Sequence, residues 1–298
     1  MKIRISETFL SVQGEGLRTG VLSVWQRHFG CSLSCPGFFQ ADPTNIDTYV
    51  DPLGGVDPKQ YKTLADIPVM KVGCDTLYAI DPRFKHCTTD YQSAAELNDV
   101  LYGMLPGGKW MHPVTGQTYD WCITGGEPMM HQKAIIEQYE DMYSRDAFPY
   151  DVQIETNCTR LMSDNMVDLI KDTTTGRPWG VTKWWMSCSP KLFHVSGETA
   201  DRAWHPEIIK QYWDVNPHGW MKFVINTDPR SWDELDQRVA DIRALGIGYP
   251  IMVMGVGATY EQQSDHTIQG AIAKMAVERG YHVSGRLHTI LFGNEVGT

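Results

Sequence analysis

The sequence lacks any apolar run long enough to cross a bilayer, which excludes a membrane-spanning helix. Its first residues, Met1 to Glu7, lack the apolar core of a signal peptide because Arg4 and Glu7 interrupt it. A cytoplasmic location is therefore expected. Basic charge is short as well: 26 Lys and Arg face 36 Asp and Glu, a formal net charge of −10. That balance argues against broad binding to a phosphate backbone, so a small-molecule partner is expected, with no nucleic acid and no membrane. Internal repeats and low-complexity tracts are absent. The 7 cysteines are odd in number, which does not suit a disulfide framework.

What is present reads as one globular domain. The chain has 298 residues, 42% of them hydrophobic, enough to bury a large core. A strand-like run spans Val21 to His28, and residues 40–72 are then irregular, punctuated by Asp42-Pro43, Asp51-Pro52, Gly54-Gly55, Asp57-Pro58 and Ile67-Pro68. Ser93-Ala94-Ala95-Glu96 opens a helix that ends near Pro106. Strands are expected over Tyr119–Ile123, Trp184–Cys188, Trp220–Ile225 and Pro250–Met254, and Val152 to Asn157 is expected to be a strand with its exit loop. Helices are expected over His131–Tyr143, Met162–Ile170, Ser231–Leu245 and Thr267–Gly280. Such alternation implies a mostly parallel sheet with helices outside it. The expected fold is α/β, a partial, open TIM-like (βα)6 barrel, with an irregular insertion at about 36–73.

Chemistry-bearing residues cluster in the expected loops. Cys31 and Cys35 stand four apart in a Gly- and Ser-rich loop behind Arg27, downstream of Ser11-Val12-Gln13-Gly14-Glu15-Gly16. Thr124-Gly125-Gly126-Glu127-Pro128, Glu155-Thr156-Asn157 and Ser189-Pro190-Lys191 each follow a predicted strand. In parallel α/β folds that is the end where ligands bind. Glycines there can be mere turns, but they also let backbone approach a ligand closely. Cys122, Cys158 and Cys188 lie in or beside apolar runs and read as buried hydrophobes.

Taken together these motifs resemble 7-carboxy-7-deazaguanine synthases, radical S-adenosylmethionine enzymes of deazapurine biosynthesis. The family signature C-x-x-x-C-x-x-C-D-T supplies three thiolates to a [4Fe–4S] cluster. Here the third cysteine is missing, because Phe38 stands in its place, and the lost tail reappears as Cys74-Asp75-Thr76. Cys31, Cys35 and Cys74 are thus the expected cluster ligands, with Cys87 as second choice because no Asp-Thr follows it. The site beside residues 36–73 would then form where that excursion returns the chain.

The resemblance implies further roles. Gly125, Gly126, Glu127, Glu155, Ser189, Pro190, Lys191 and Met254 would bind S-adenosylmethionine. Val12, Gln13, Gly14, Glu15, Arg27, Thr124, His288 and the terminal Thr298 would bind substrate. Thr76 would help hold Mg²⁺, a hard cation that prefers oxygen ligands. Three thiolates leave one iron for the amino-acid end of S-adenosylmethionine, and reductive cleavage yields a 5′-deoxyadenosyl radical. The implied reaction contracts 6-carboxy-5,6,7,8-tetrahydropterin to 7-carboxy-7-deazaguanine with loss of ammonia, for tRNA queuosine or deazaguanine DNA modification. A one-electron reductant such as flavodoxin or ferredoxin would serve it, and a homodimer is expected. The rival readings are another radical reaction on the same barrel, a relative that has lost its cluster, and a structural zinc site built from Cys31, Cys35, Cys74 and Cys87.

Overall fold

The computed structural model describes residues 2–175, 182–295 and 297. Nine strands form one sheet: β1 Ile3–Val12, β2 Leu22–His28, β3 Thr89–Tyr91, β4 Asp120–Gly125, β5 Asp151–Thr156, β6 Lys183–Cys188, β7 Gly219–Ile225, β8 Ile251–Gly255 and β9 His282–Ser284. Their order is β3-β1-β2-β4-β5-β6-β7-β8-β9. From β2 onward every neighbouring pair is parallel, while β1 runs antiparallel to both β2 and β3. The fold is therefore mixed α/β. The antiparallel β1 and β3 are additions that the alternating pattern did not announce, since a register shift between Ile5 and Glu7 interrupts the alternation of β1.

The helices form for local reasons. Ser93 Oγ accepts the Glu96 N–H at 3.1 Å and starts Ala94–Met104. Asp228 caps Pro229–Ala244 by accepting the Arg230 N–H at 2.9 Å, with proline at the first turn where no donor is lost. Asp265 caps His266–Arg279 in the same way. The helix Pro206–Val215 buries Ile208, Ile209 and Tyr212, a stripe too short to stand out in the sequence. Large side chains fill the space between sheet and helices, with Trp121, Trp184, Phe223, Trp232 and Tyr249 fully buried. Among the described residues no helix is long and apolar enough to cross a membrane.

Between Cys35 and Cys74 the chain forms no strand and no α-helix, only the short 3-10 turns Ile46–Thr48, Pro58–Gln60 and Leu64–Asp66. It nonetheless has a small core of its own, in which Leu53, Ile67 and Met70 meet Phe84. Its neck is closed by one hydrogen bond, the Gly73 N–H to the Phe38 carbonyl at 2.8 Å. That bond returns the chain beside the point where it left.

Candidate active site

The carboxyl ends of the parallel strands surround a cavity of about 220 Å³. Arg27 reaches it from β2, Thr124 and Gly125 from β4, Glu155 from β5, Lys222 from β7 and Met254 from β8. Ser189 and Lys191 enter from the loop behind β6, and Arg286 and His288 from the segment behind β9. The excursion supplies a further wall through Phe38, Phe39, Met70 and Gly73.

Three cysteines share this wall. Cys31, Cys35 and Cys74 pack into one cluster with Leu33 and Phe38. Each is steadied from a different element. The Asn157 side-chain amide donates to Cys31 Sγ at 3.5 Å, and Thr76 Oγ1 lies 3.4 Å from Cys74 Sγ. The Cys35 N–H donates to buried Glu198 at 2.7 Å. Burial pushes all three thiols up, Cys74 to about 11 with Asp75 adding to the effect. Three soft sulfur donors gathered on one largely buried wall suit a metal centre that takes thiolates. Among the described residues no three His, Cys, Asp or Glu stand close enough for a single metal ion. Three thiols on one cavity wall are the donor type that an iron–sulfur cluster takes. Cys87 lies elsewhere, in the small core of the excursion, with its thiol directed to the Tyr61 carbonyl at 3.7 Å. The four-cysteine zinc set is therefore not assembled.

The glycines of the T-G-G-E-P turn are needed for packing as much as for a ligand. A Cβ on Gly126 would fall 2.3 Å from the Gly30 carbonyl oxygen and 2.6 Å from Cys31 Cβ. The turn is thus pressed onto the cysteine loop, while Gly125 and Gly126 still line the cavity. Glu127 differs from expectation. Its carboxylate is fully buried away from the cavity and accepts from Met129 N at 2.9 Å, Thr156 Oγ1 at 2.8 Å and Asn157 N at 2.6 Å. It ties the β4 and β5 loops together rather than facing a cofactor. Pro190 also stays out of the cavity lining, between Ser189 and Lys191, which bond to each other at 3.1 Å.

On the substrate side the expected donors are already engaged. Gln13, expected to read the edge of a pterin, gives its amide N–H groups to Gln153 at 2.9 Å and Glu155 at 3.3 Å. Its oxygen accepts the Glu15 N–H at 2.9 Å, so the side chain is an internal tie. Arg27 donates from Nε to Glu7 at 2.6 Å, and Tyr78 holds the same carboxylate at 2.6 Å. Thr124 Oγ1 donates to Glu155 at 3.1 Å. Val12 lines the cavity; Gly14 does not, but it backs His288, whose Nδ1 lies where a Cβ would go. Thr298 lies outside the described residues.

Two cations complete the floor, neither of them anticipated as a site residue. Lys222 donates to Glu15, and Arg286 bridges Glu15 and Asp75, each at 2.9 Å. Burial opposes charge on Glu15, but Lys222 and Arg286 outweigh it and hold the carboxyl below its usual range. The signal for Lys222 was available, since a lone lysine interrupts the apolar run Trp220 to Ile225. Burial likewise holds the His288 imidazole below its ordinary range.

Comparison with known proteins agrees with the motifs. No protein-family model matches the chain. It is 25% identical to a 7-carboxy-7-deazaguanine synthase of Halobacterium salinarum over 308 aligned residues, covering 97% of this chain and 90% of the relative. A protein of the same name from Methanothermobacter thermautotrophicus is 25% identical over 161 residues, 54% of this chain and 45% of that one. The crystal structure of QueE from Escherichia coli superimposes with a TM-score of 0.53 at 19% identity, covering 97% and 95% of the two chains. The last likeness is one of fold. The resemblance read from the motifs therefore extends along nearly the whole chain.

Proposed function

We propose, from the standing of this chain as an enzyme related to the 7-carboxy-7-deazaguanine synthases, that it performs their radical ring contraction on a carboxypterin. The observation that carries the reading is the meeting of Cys31, Cys35 and Cys74 on the same cavity wall as Gly126, Glu155 and Lys191. In this reading the three cysteines hold a [4Fe–4S] cluster. Gly125, Gly126, Glu155, Ser189, Lys191 and Met254 receive S-adenosylmethionine, and Thr76 offers a hydroxyl to Mg²⁺. Glu127 and Pro190 act only by shaping their loops. Cluster and S-adenosylmethionine together supply a 5′-deoxyadenosyl radical when a flavodoxin or ferredoxin delivers one electron.

The protein's own residues orient the substrate 6-carboxy-5,6,7,8-tetrahydropterin. With the Nε edge of Arg27 taken by Glu7, its terminal nitrogens are the edge left for the substrate carboxylate. Thr124 and Glu155 face the ring, and His288 with Glu15, Lys222 and Arg286 closes the far side. The architecture behind this is a single domain, an open partial barrel with the excursion 36–73 laid over the cluster loop. Support comes from the segment 13–18: Gln13 bonds to β5, Glu15 to β7, and Gly16 N to Ser284 of β9 at 2.8 Å. One loop meets all three strands if the sheet curls around it. A cytoplasmic homodimer remains part of the proposal.

Arg27→Ala is expected to retain the wild-type iron content and to lose carboxypterin turnover by at least about tenfold, the loss of a charged hydrogen bond. Its thermal midpoint should also fall, because Glu7 loses its cationic partner and keeps only the Tyr78 hydroxyl. Unchanged kcat/KM in that variant would remove Arg27 from the site. The reading itself is tested by reducing the anaerobically reconstituted protein with S-adenosylmethionine present. An intact cluster that forms no 5′-deoxyadenosine would sink it.

A further inference from the structure

We propose that Glu198, which no motif singles out, positions the second cluster cysteine and lowers the reduction potential of the cluster. The inference rests on the cluster reading above. Glu198 is 1% exposed, and its Oε1 accepts three hydrogen bonds from the cysteine loop. They come from Ser34 N at 2.7 Å, Ser34 Oγ at 3.0 Å and Cys35 N at 2.7 Å. The same turn grips the loop again one step further on, where Gly37 N donates to the Ser196 carbonyl at 2.8 Å. There a Cβ on Gly37 would fall 2.6 Å from Gly197 N, so the two backbones touch.

Cys35 needs such a grip for two reasons. Its φ is +47°, a left-handed conformation that costs a non-glycine residue on the order of 1–3 kcal/mol unless the surroundings impose it. It is also the last residue before the 36–73 excursion, so no short loop links it to Cys74. A carboxylate reaching across from the segment behind β6 supplies the missing constraint.

A neutral acceptor would satisfy the same donors, so the charge itself calls for an account. A fixed negative charge beside a cluster ligand disfavours the added electron, and the potential falls. The carboxylate also keeps the Ser34 and Cys35 N–H groups bonded to itself, away from sulfur, which acts in the same direction. Arg202, half exposed, pairs with Glu198 Oε2 at 2.9 Å and offsets part of the charge. The two residues therefore predict shifts of opposite sign.

The test uses the full chain, reconstituted anaerobically without S-adenosylmethionine or substrate. Iron and sulfide are quantified and the midpoint potential is titrated with mediators. Glu198→Gln should keep wild-type iron and show a higher midpoint; Arg202→Ala should keep iron and show a lower one. Glu198→Ala should lose more than half of the iron. If Glu198→Ala does not fold, the opposite shifts of the other two variants decide alone. Midpoints that fail to move in opposite directions, or full iron in Glu198→Ala, overturn the proposal while leaving the cluster reading standing. A wild-type protein that takes up no cluster overturns both.

Discussion

Cys74→Ala is expected to lose the [4Fe–4S] cluster and all 5′-deoxyadenosine formation, while Cys87→Ala keeps both. The expectation follows from where the excursion ends. The Gly73 N–H bond to the Phe38 carbonyl brings position 74 back to the cysteine loop across an insertion of more than thirty residues. Phe38 fills the place of the missing ligand and lines the cavity beside Cys31 and Cys35. Removing one of three thiolates leaves two, too few to hold a four-iron cube firmly. Cys87 sits in the apolar core around Phe84, so its truncation should cost only a little packing. Iron quantification after reconstitution decides the matter. Loss of iron in Cys87→Ala alone would make that residue the ligand, and full iron in both would remove each from the centre.

The second large effect concerns stability. Glu15→Gln should destabilise the fold by about 3–5 kcal/mol, because Lys222 and Arg286 are left buried with a weaker counter-charge. Lys222→Met in the same background should recover part of that loss, since it removes one of the stranded charges. The pH dependence has a definite sign. The Glu15 carboxyl is held below its usual range in the folded chain by Lys222 and Arg286 acting against burial. Its contribution is therefore present above the unfolded carboxylate pKa of about 4.3 and is lost as pH falls further. Urea midpoints of the wild type should drop on acidification through this range, and those of Glu15→Gln should drop less. Parallel curves would show that Glu15 does not carry the linkage.

Much of this site was legible because it is built from short motifs at strand ends. Thr124 to Pro128 and Glu155 to Asn157 begin in the last residues of a strand and Ser189 to Lys191 follows one, and in each case the strand's apolar run is plain in the sequence. Long-range pairing was not legible. Nothing local in Gln13 says that its amide is consumed by Gln153 and Glu155. Glu127 looked like part of a ligand loop, yet three donors from neighbouring turns and loops claim its carboxylate. The role of Glu198 was not legible, because its partners in the cysteine loop lie more than 160 residues away. Lys222 is the instructive omission. A charge inside an otherwise apolar central strand needs a buried partner, and the acidic residue of Gln13-Gly14-Glu15 provides it. In the fold, β1 and β3 escaped notice because β3 is an edge strand of only three residues and β1 loses its alternation at a register shift between Ile5 and Glu7.

The most direct measurement is product analysis of the reconstituted protein supplied with S-adenosylmethionine, reductant, Mg²⁺ and 6-carboxy-5,6,7,8-tetrahydropterin under anaerobic conditions. Mass spectrometry should find 7-carboxy-7-deazaguanine, formed only when all four are present. Steady formation of 5′-deoxyadenosine with no 7-carboxy-7-deazaguanine would contradict the assigned substrate.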